Sequence, residues 1–394
     1  MSKEPLPPPG AQLDHYVSPE TFDPKSIERL TAAQEKVYLA SQWKLMWWKF
    51  KRHKVAVASG IFLLLLYSTI LVSEIIAPYG LDTRHSKYKF VPPQGIHLFH
   101  DGEFVGPFVY GVTRSADPKD LRPIYTRDES KVHKLQYFCR GDAYKFWGAF
   151  DWDLHLFCVP EGSRAPLFLL GTDHLTRDMF SRIVYGARIS LTVGIIAIAI
   201  SFTLGIVIGG IAGYFGGVID LVVQRIIEVL QSVPTIPLLL ALAAVIPTKW
   251  SPVWVYFGIT LILALIDWTG LARAVRSKLL ALREEDYVLA AQLMGAGTSR
   301  IIGHHMVPGF ASHLIASASI SIPMMILSET ALSFLGLGLR PPITSWGVLL
   351  KEAQDINVVA IYPWLLLPVV PVILVILAFN FLGDGLRDAA DPYK

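Results

Sequence analysis

Between Ile189 and Ala212 the chain runs for 24 residues without a charged side chain. About 20 apolar residues suffice to cross the hydrocarbon of a bilayer as a helix, and lipid leaves the backbone no partner but itself. Gly205, Gly209 and Gly213 recur through the run at four-residue intervals, continued by Gly217. Such a ridge of small residues predicts close packing against a second helix. The composition agrees: 53% of residues are hydrophobic and 17% charged, where soluble domains carry about 25% charge. The expectation is an all-α polytopic membrane protein. A net charge of +3 is too small and too unevenly spread to argue for nucleic acid. The basic residues cluster beside apolar runs, where lipid headgroups lie.

Six spans are expected, near residues 55–77, 189–212, 221–246, 252–272, 310–337 and 361–382. The third holds Pro234 and Pro237, the fifth Pro323, and the sixth Pro363, Pro368 and Pro371. Prolines at these depths predict broken helices, tolerated where protein or a water-filled cavity satisfies the freed carbonyls. Gln231, Asp267 and Glu329 are polar at membrane depth and are candidates for the translocation path, with helix packing as the alternative for each. Arg225 and Glu228 are three apart and are expected to pair. The basic run Lys51–Lys54 precedes the first span, and Arg273, Arg276, Lys278 and Arg283 follow the fourth. An even number of crossings puts both runs on one side, the cytoplasm, as the positive-inside rule requires. Both termini are then cytoplasmic.

Outside the spans, residues 1–26 are rich in proline and polar side chains, without an apolar run, and read as a disordered cytoplasmic tail. Residues 27–54 repeat apolar positions at helical spacing through Ile27, Leu30, Val37, Trp43, Trp47 and Phe50, flanked by lysines, which reads as an interfacial amphipathic helix. Residues 78–188 form a polar insert with a lead-in to the second span, long enough to be exported despite its basic residues. Cys139 and Cys158, the only cysteines, both fall there. An oxidising periplasm favours a disulfide between them over two buried thiols, and the absence of a CxxC spacing disfavours a metal pair. In the lead-in, Asp173, Arg177, Asp178 and Arg182 can pair at helical spacing. Residues 189–394 form the core.

The charged interruption at residues 282–308 carries its own punctuation. Glu284, Glu285 and Asp286 suit a helix N-terminus, and Gly295 and Gly297 supply a stop after Met294. Thr298 can cap a second short helix that Pro308 closes. A helix-turn-helix within a cytoplasmic loop at residues 273–309 is expected. Ala290, Ala291 and Gly295 match the spacing of the "EAA loop" of bacterial ABC importer permeases, with Leu289 for the usual Glu and His305 where an apolar residue is usual.

Five strings in register extend this likeness: LGTDHLTRDMFSRIVYGARISL, GYFGGVIDLVVQRIIEVLQSVPTIPL, the loop around Gly295, ETALSFLGLGLRPP and LGDGLRDAADPY. The sequence resembles the second permease subunit of the oligopeptide/dipeptide ABC importer family, departing from its pattern at Thr176, at Leu289 and in the long insert. The resemblance implies the six-helix type I importer permease fold in a bacterial inner membrane. It also implies a second homologous permease subunit, two ABC ATPase subunits and a periplasmic solute-binding protein as partners, with membrane lipid around them. Glu285, Tyr287, Ala290, Ala291, Met294, Gly295 and Ala296 would form the surface gripped by one ATPase. Family substrates are mostly peptides, with sugars, opines or nickel assigned to some members.

No GxxxxGK[ST] loop, HExxH pair or GxSxG elbow occurs, so the chain is not expected to be an enzyme or to need a cofactor. The adjacent His304 and His305 diverge by about 100° on a helix and cannot share a metal. They read as surface residues. Two other classes fit less well. An ion-coupled secondary transporter would use Asp267 and Glu329 but leave a docking loop unexplained, and a receptor or scaffold would move nothing.

Overall fold

The computed structural model describes residues 39–119, 122–159, 166–247, 249–354 and 356–390. The expected tail and the start of the interfacial helix, with Ile27, Leu30 and Val37, lie outside the described residues. The first helix, α1 (Gln42–Arg52), is amphipathic. Trp43 and Trp47 are exposed, and the ammonium groups of Lys44 and Lys51 stand over the rings of Trp48 and Trp47. At His53 the chain bends into α2 (Lys54–Leu71), and the His53 ring accepts a hydrogen bond from the Ala56 amide at 3.2 Å. Val72 separates α2 from the short α3 (Ser73–Ile76), so the apolar run at 55–77 is two pieces rather than one.

The all-α expectation fails for the insert. Strands β1 (His97–His100), β2 (Glu103–Ala116) and β3 (Pro123–Lys134) form an antiparallel sheet, while β4 (Gln136–Phe146) and β5 (Phe150–Cys158) form a hairpin. The signals are local. Phe104, Phe108, Tyr110 and Val112 recur at even spacing in β2, as β-propensity favours. Asp101 and Gly102 both take positive φ, 50° and 86°, the turn that fits the twist of a two-residue hairpin.

Next come α4 (Met179–Phe215), α5 (Gly217–Ser232), α6 (Thr235–Ala244) and α7 (Pro252–Leu282). The glycine ridge of α4 lies on α7. A Cβ at Gly213 would sit 2.8 Å from the Arg276 carbonyl, and one at Gly209 would collide with the Ala272 backbone. Here glycine allows two spanning helices to touch main chain to main chain. Both helices run past their apolar runs, α4 by ten residues at its start and α7 by ten at its end.

Pro234 breaks the third run as expected. It lacks an amide proton and its ring would clash with the carbonyl four residues back, so α5 and α6 meet at 89°. After α7 follow α8 (Asp286–Leu293), α9 (Ala311–Phe334), α10 (Trp346–Glu352), α11 (Ile356–Ile361) and α12 (Val369–Ala390).

Two other proline expectations are corrected. Pro323 lies inside a continuous α9. The Ser319 hydroxyl one turn back bonds the Ile315 and Ala316 carbonyls, Gly383 of α12 packs against it, and the helix runs on through the bond that Pro323 cannot make. In the sixth run, Pro363 and Pro368 precede α12, while Pro371 sits in its first turn, where no amide is needed.

Among the described residues, Lys54–Leu71, Met179–Phe215, Pro252–Leu282, Thr298–Phe334 and Pro363–Ala390 are long and apolar enough to cross a membrane. The bent pair α5 and α6 makes a sixth if it counts as one span.

Candidate coupling surface and polar sites

The loop after α7 is not the helix-turn-helix expected. α8 is its one separate helix. From Thr298 the chain winds through a short α turn, a π turn (Ile301–Met306) and a 3-10 turn (Val307–Phe310) directly into α9. Pro308 therefore closes nothing, because wide and tight turns in succession absorb its missing amide. Thr298 is the first helical residue and caps nothing; Gly297 holds the cap position.

α8 ends in a Schellman motif. Gly295 has φ 80°, its amide bonds the Gln292 carbonyl at 2.9 Å, and the Ala296 amide reaches back to the Ala291 carbonyl at 3.0 Å. Ala291 and Ala296, joined by that bond, both pack on an apolar base with Val288, Leu279, Met306 and Phe310, as the motif's apolar contact requires. The base ties α8 to the ends of α7 and α4.

Among the described residues the opposite face has no cover. Leu293 is 90% exposed and Met294 80%, with Ala290, Leu289 and Tyr287 beside them. Of the residues singled out, Ala290, Met294, Gly295, Tyr287 and Glu285 are exposed, whereas Ala291 is buried and Ala296 half-buried. The seven are thus split between a surface and the base that holds it. Leu293 is the residue missed by sequence reasoning. Its signal was a helix apolar on both faces, Val288 and Ala291 inward, Leu289 and Leu293 outward, in a loop flanked by charge.

The three polar residues at membrane depth are not brought together. Glu329 is fully buried between α9, α4 and the start of α10; it accepts hydrogen bonds from Ser190 at 3.1 Å and Ser333 at 2.8 Å. Asp267 accepts one from Ser201 of α4 at 2.9 Å. Gln231 is exposed beside the α5–α6 bend and donates to Thr269 at 3.2 Å. Arg225 and Glu228 form an exposed pair at 2.8 Å.

At the other end of α4, Arg182 bonds Asp173 at 2.6 Å and Glu352 at 2.6 and 2.9 Å, and Arg177 bridges the same two carboxylates. Asp173, His174 and Glu352 hold ligand atoms within 4.8 Å of one another, but the two guanidinium groups already engage both carboxylates. The cluster is a buried ion network that staples α10 to the lead-in. Burial pushes the Glu352 carboxyl up, and Arg182 and Arg177 outweigh it and hold the group below its usual range.

Asp178 does not join this network as expected. It caps α4, accepting from the Ser181 amide and hydroxyl at 2.7 Å each. Burial drives its carboxyl up to about 7, against the Ser181 bonds and with the charge of Asp173. Among the described residues its other oxygen, also buried, has no hydrogen-bond partner.

The insert is pinned to the bundle. Trp147, at the β4–β5 turn, donates its amide to Glu74 at 3.2 Å and its ring N–H to the Leu71 carbonyl at 3.0 Å. Arg188 of α4 pairs with Glu74 and stacks on the Trp147 ring at 4.1 Å. The Sγ atoms of Cys139 and Cys158 lie 2.00 Å apart across the hairpin.

The family model described as "binding-protein-dependent transport system inner membrane component" matches residues 205–393. The model for the N-terminal transmembrane domain of oligopeptide transport permease C matches residues 41–93. The chain is 40% identical over 223 residues to a dipeptide transport system permease protein of Bacillus subtilis, covering 56% of this chain and 68% of that protein. The chain belongs to this permease family. The expected resemblance is met.

Two further permease relatives match over most of their length. The dipeptide transport system permease protein of Lactococcus lactis is 32% identical over 354 residues, 88% of this chain and 89% of its own. The glutathione transport system permease protein of Pectobacterium atrosepticum is 31% identical over 350 residues, 89% of this chain and 91% of its own. Those shares exceed what the chain has outside residues 78–166, so the alignments run into the insert.

Proposed function

We propose that this permease forms half of the membrane path of an ATP-driven importer for peptides or similar small solutes. Six spans cross the inner membrane, the bent pair α5 and α6 counting as one. Both termini and α8 face the cytoplasm, and the insert faces the periplasm. A second homologous permease completes the path, a periplasmic solute-binding protein delivers cargo, and two ABC ATPases supply force, one of them against α8. Peptide cargo is supported by relatives named for dipeptide and glutathione transport.

The observation that carries the mechanism is the uncovered apolar end of α8 on a rigid base. Leu293 and Met294 project from a helix whose stop is set by Gly295 and whose inner face is fastened to α7 and α4. A push on that knob reaches both long helices through the packed base. Covering one such side chain contributes about 1.5–3 kcal/mol, enough to make it an anchor of the contact. Gln231, at the exposed bend, is the path candidate this reading retains; Asp267 and Glu329 serve helix packing, which leaves ion coupling without its acids.

The test replaces Leu293 with Glu in the assembled transporter. Expected are normal membrane insertion, loss of ATPase co-purification and loss of ATP-driven uptake into proteoliposomes. Co-purification and uptake at parental levels would overturn the docking assignment, and uptake abolished by a protonophore with ATP still supplied would overturn ATP coupling.

A further inference from the structure

A cleft of about 500 Å³ opens in the insert, between the segment after α3 and the β4–β5 hairpin. That volume falls within the range of small-molecule sites. Arg84, Lys87 and Arg140 stand on its lining with a single acid, Asp142, and Tyr79 and Tyr88 supply aromatic wall. Among the described residues, Arg84 and Lys87 make no side-chain ion pair. Arg140 has only a loose contact of 3.8 Å with the part-exposed Asp153. The one acid, Asp142, accepts the Thr83 hydroxyl at 2.8 Å and keeps its charge, leaving the lining net positive. Among the described residues the lining thus carries three cations and one anion.

The walls are built rather than incidental. The His155 ring, buried under the cleft, reaches the Ala77 carbonyl at 2.6 Å and the Asp142 carbonyl at 2.9 Å, fastening the two sides to each other. Tyr79 is fixed twice, its hydroxyl accepting from the Leu167 amide at 2.7 Å and its amide donating to Ser181 at 3.2 Å. Cys158, on the lining, is held to the hairpin through Cys139. A cleft pre-formed in this way loses little entropy on accepting a ligand.

We propose that this cleft binds a small carboxylate-bearing solute with an apolar body, the chemistry of a short peptide's free C-terminus. A guanidinium presents a planar fork matched to a carboxylate, and the tyrosine wall gives the body of the ligand an apolar surface that a bare inorganic anion would leave wet. The proposal rests on the insert facing the periplasm, where such solutes arrive. It places an accessory collection point on the permease itself, away from the membrane path.

The experiment measures binding of trialanine, trialanine amide and inorganic phosphate to the full-length chain in lipid nanodiscs, without ATP or partner subunits, so its outcome is independent of whether the assembly transports. Expected is saturable trialanine binding that weakens with salt and is about tenfold weaker for the amide. Replacing Arg84, Lys87 and Arg140 together with Gln should cost about tenfold in affinity with the melting temperature unchanged; R84Q alone, on an exposed side chain, guards against misfolding of the triple variant. Equal binding of acid and amide, binding indifferent to the three cations, or binding of phosphate without trialanine would each overturn the assignment.

Discussion

Gly295 offers the sharpest test of the coupling surface, because the structure separates its steric cost from its conformational one. A Cβ built there meets nothing within 4 Å, so a larger residue fits the space. The penalty is the backbone alone: φ is 80°, and a residue with a Cβ pays about 1–2 kcal/mol to stay in the left-handed region. That is a factor of about 5–30 in the ratio of the Schellman stop to its alternatives, the upper bound on the fall in its population. A chain that leaves it swings Met294 and Leu293 off the surface they form. The effect is confined to the end of α8, since Val288 and Ala291 remain on the base.

The series Gly295→Asn, Gly295→Ala and Gly295→Val then orders itself. Asn enters the left-handed region readily and should stay near parental activity, Ala should fall by about fivefold, and the β-branched Val by the most, towards thirtyfold. The assay is solute-stimulated ATP hydrolysis by the reconstituted complex, with ATPase co-purification and the yield of membrane-inserted permease measured alongside. Asn and Val behaving alike, or Val at parental activity, would refute the reasoning. So would a loss of activity that tracks insertion yield.

Three other outcomes follow from the packing and the charges. Gly209→Ala drives a Cβ into the Ala272 backbone and should cost about 1–3 kcal/mol, read as a lower melting temperature in detergent; an unchanged melt would mean that α4 and α7 do not touch there. Asp178 has its folded pKa raised to about 7, so its contribution to stability is fully present below the unfolded value near 3.8 and is lost as pH rises through 7. Asp178→Asn keeps the cap without the charge and should flatten the stability profile between about pH 4 and 7; an unaltered profile would remove Asp178 from that window. Cys139 and Cys158 are expected to resist alkylation in the unreduced, denatured protein, and a mass shift showing two free thiols would rule out their bridge.

The membrane part was legible because lipid imposes a rule that any span must obey residue by residue. The uncharged run in α4, the glycine interval and Pro234 announce themselves locally, and the structure places a long helix, a main-chain contact and an 89° bend at them. Pro308 and Pro323 misled for the complementary reason. Whether a helix survives a proline depends on the turns before it and the helices packed beside it, and neither the close contact of α9 with Gly383 of α12 nor the π turn at Ile301–Met306 can be weighed along the chain. The strands of the insert do not stand out from a polar segment as apolar runs, because its apolar residues alternate, although Asp101–Gly102 marks a hairpin.

The site divides along the same line. Composition and spacing were sufficient to place a short helix in a loop between spans and to end it at Gly295, since positive φ is a property of one residue. Which face of that helix is covered is a property of its surroundings. Ala290 and Ala291 are neighbours of one type, yet one is exposed and the other buried under Ala296 and Met306. Likewise Asp173 and Asp178 look interchangeable in sequence, and only the fold makes one a partner of Arg182 and Glu352 and the other a helix cap. Charge, periodicity and turn chemistry act over a few residues and can be read in order, whereas burial is decided by segments that meet only once the chain has folded.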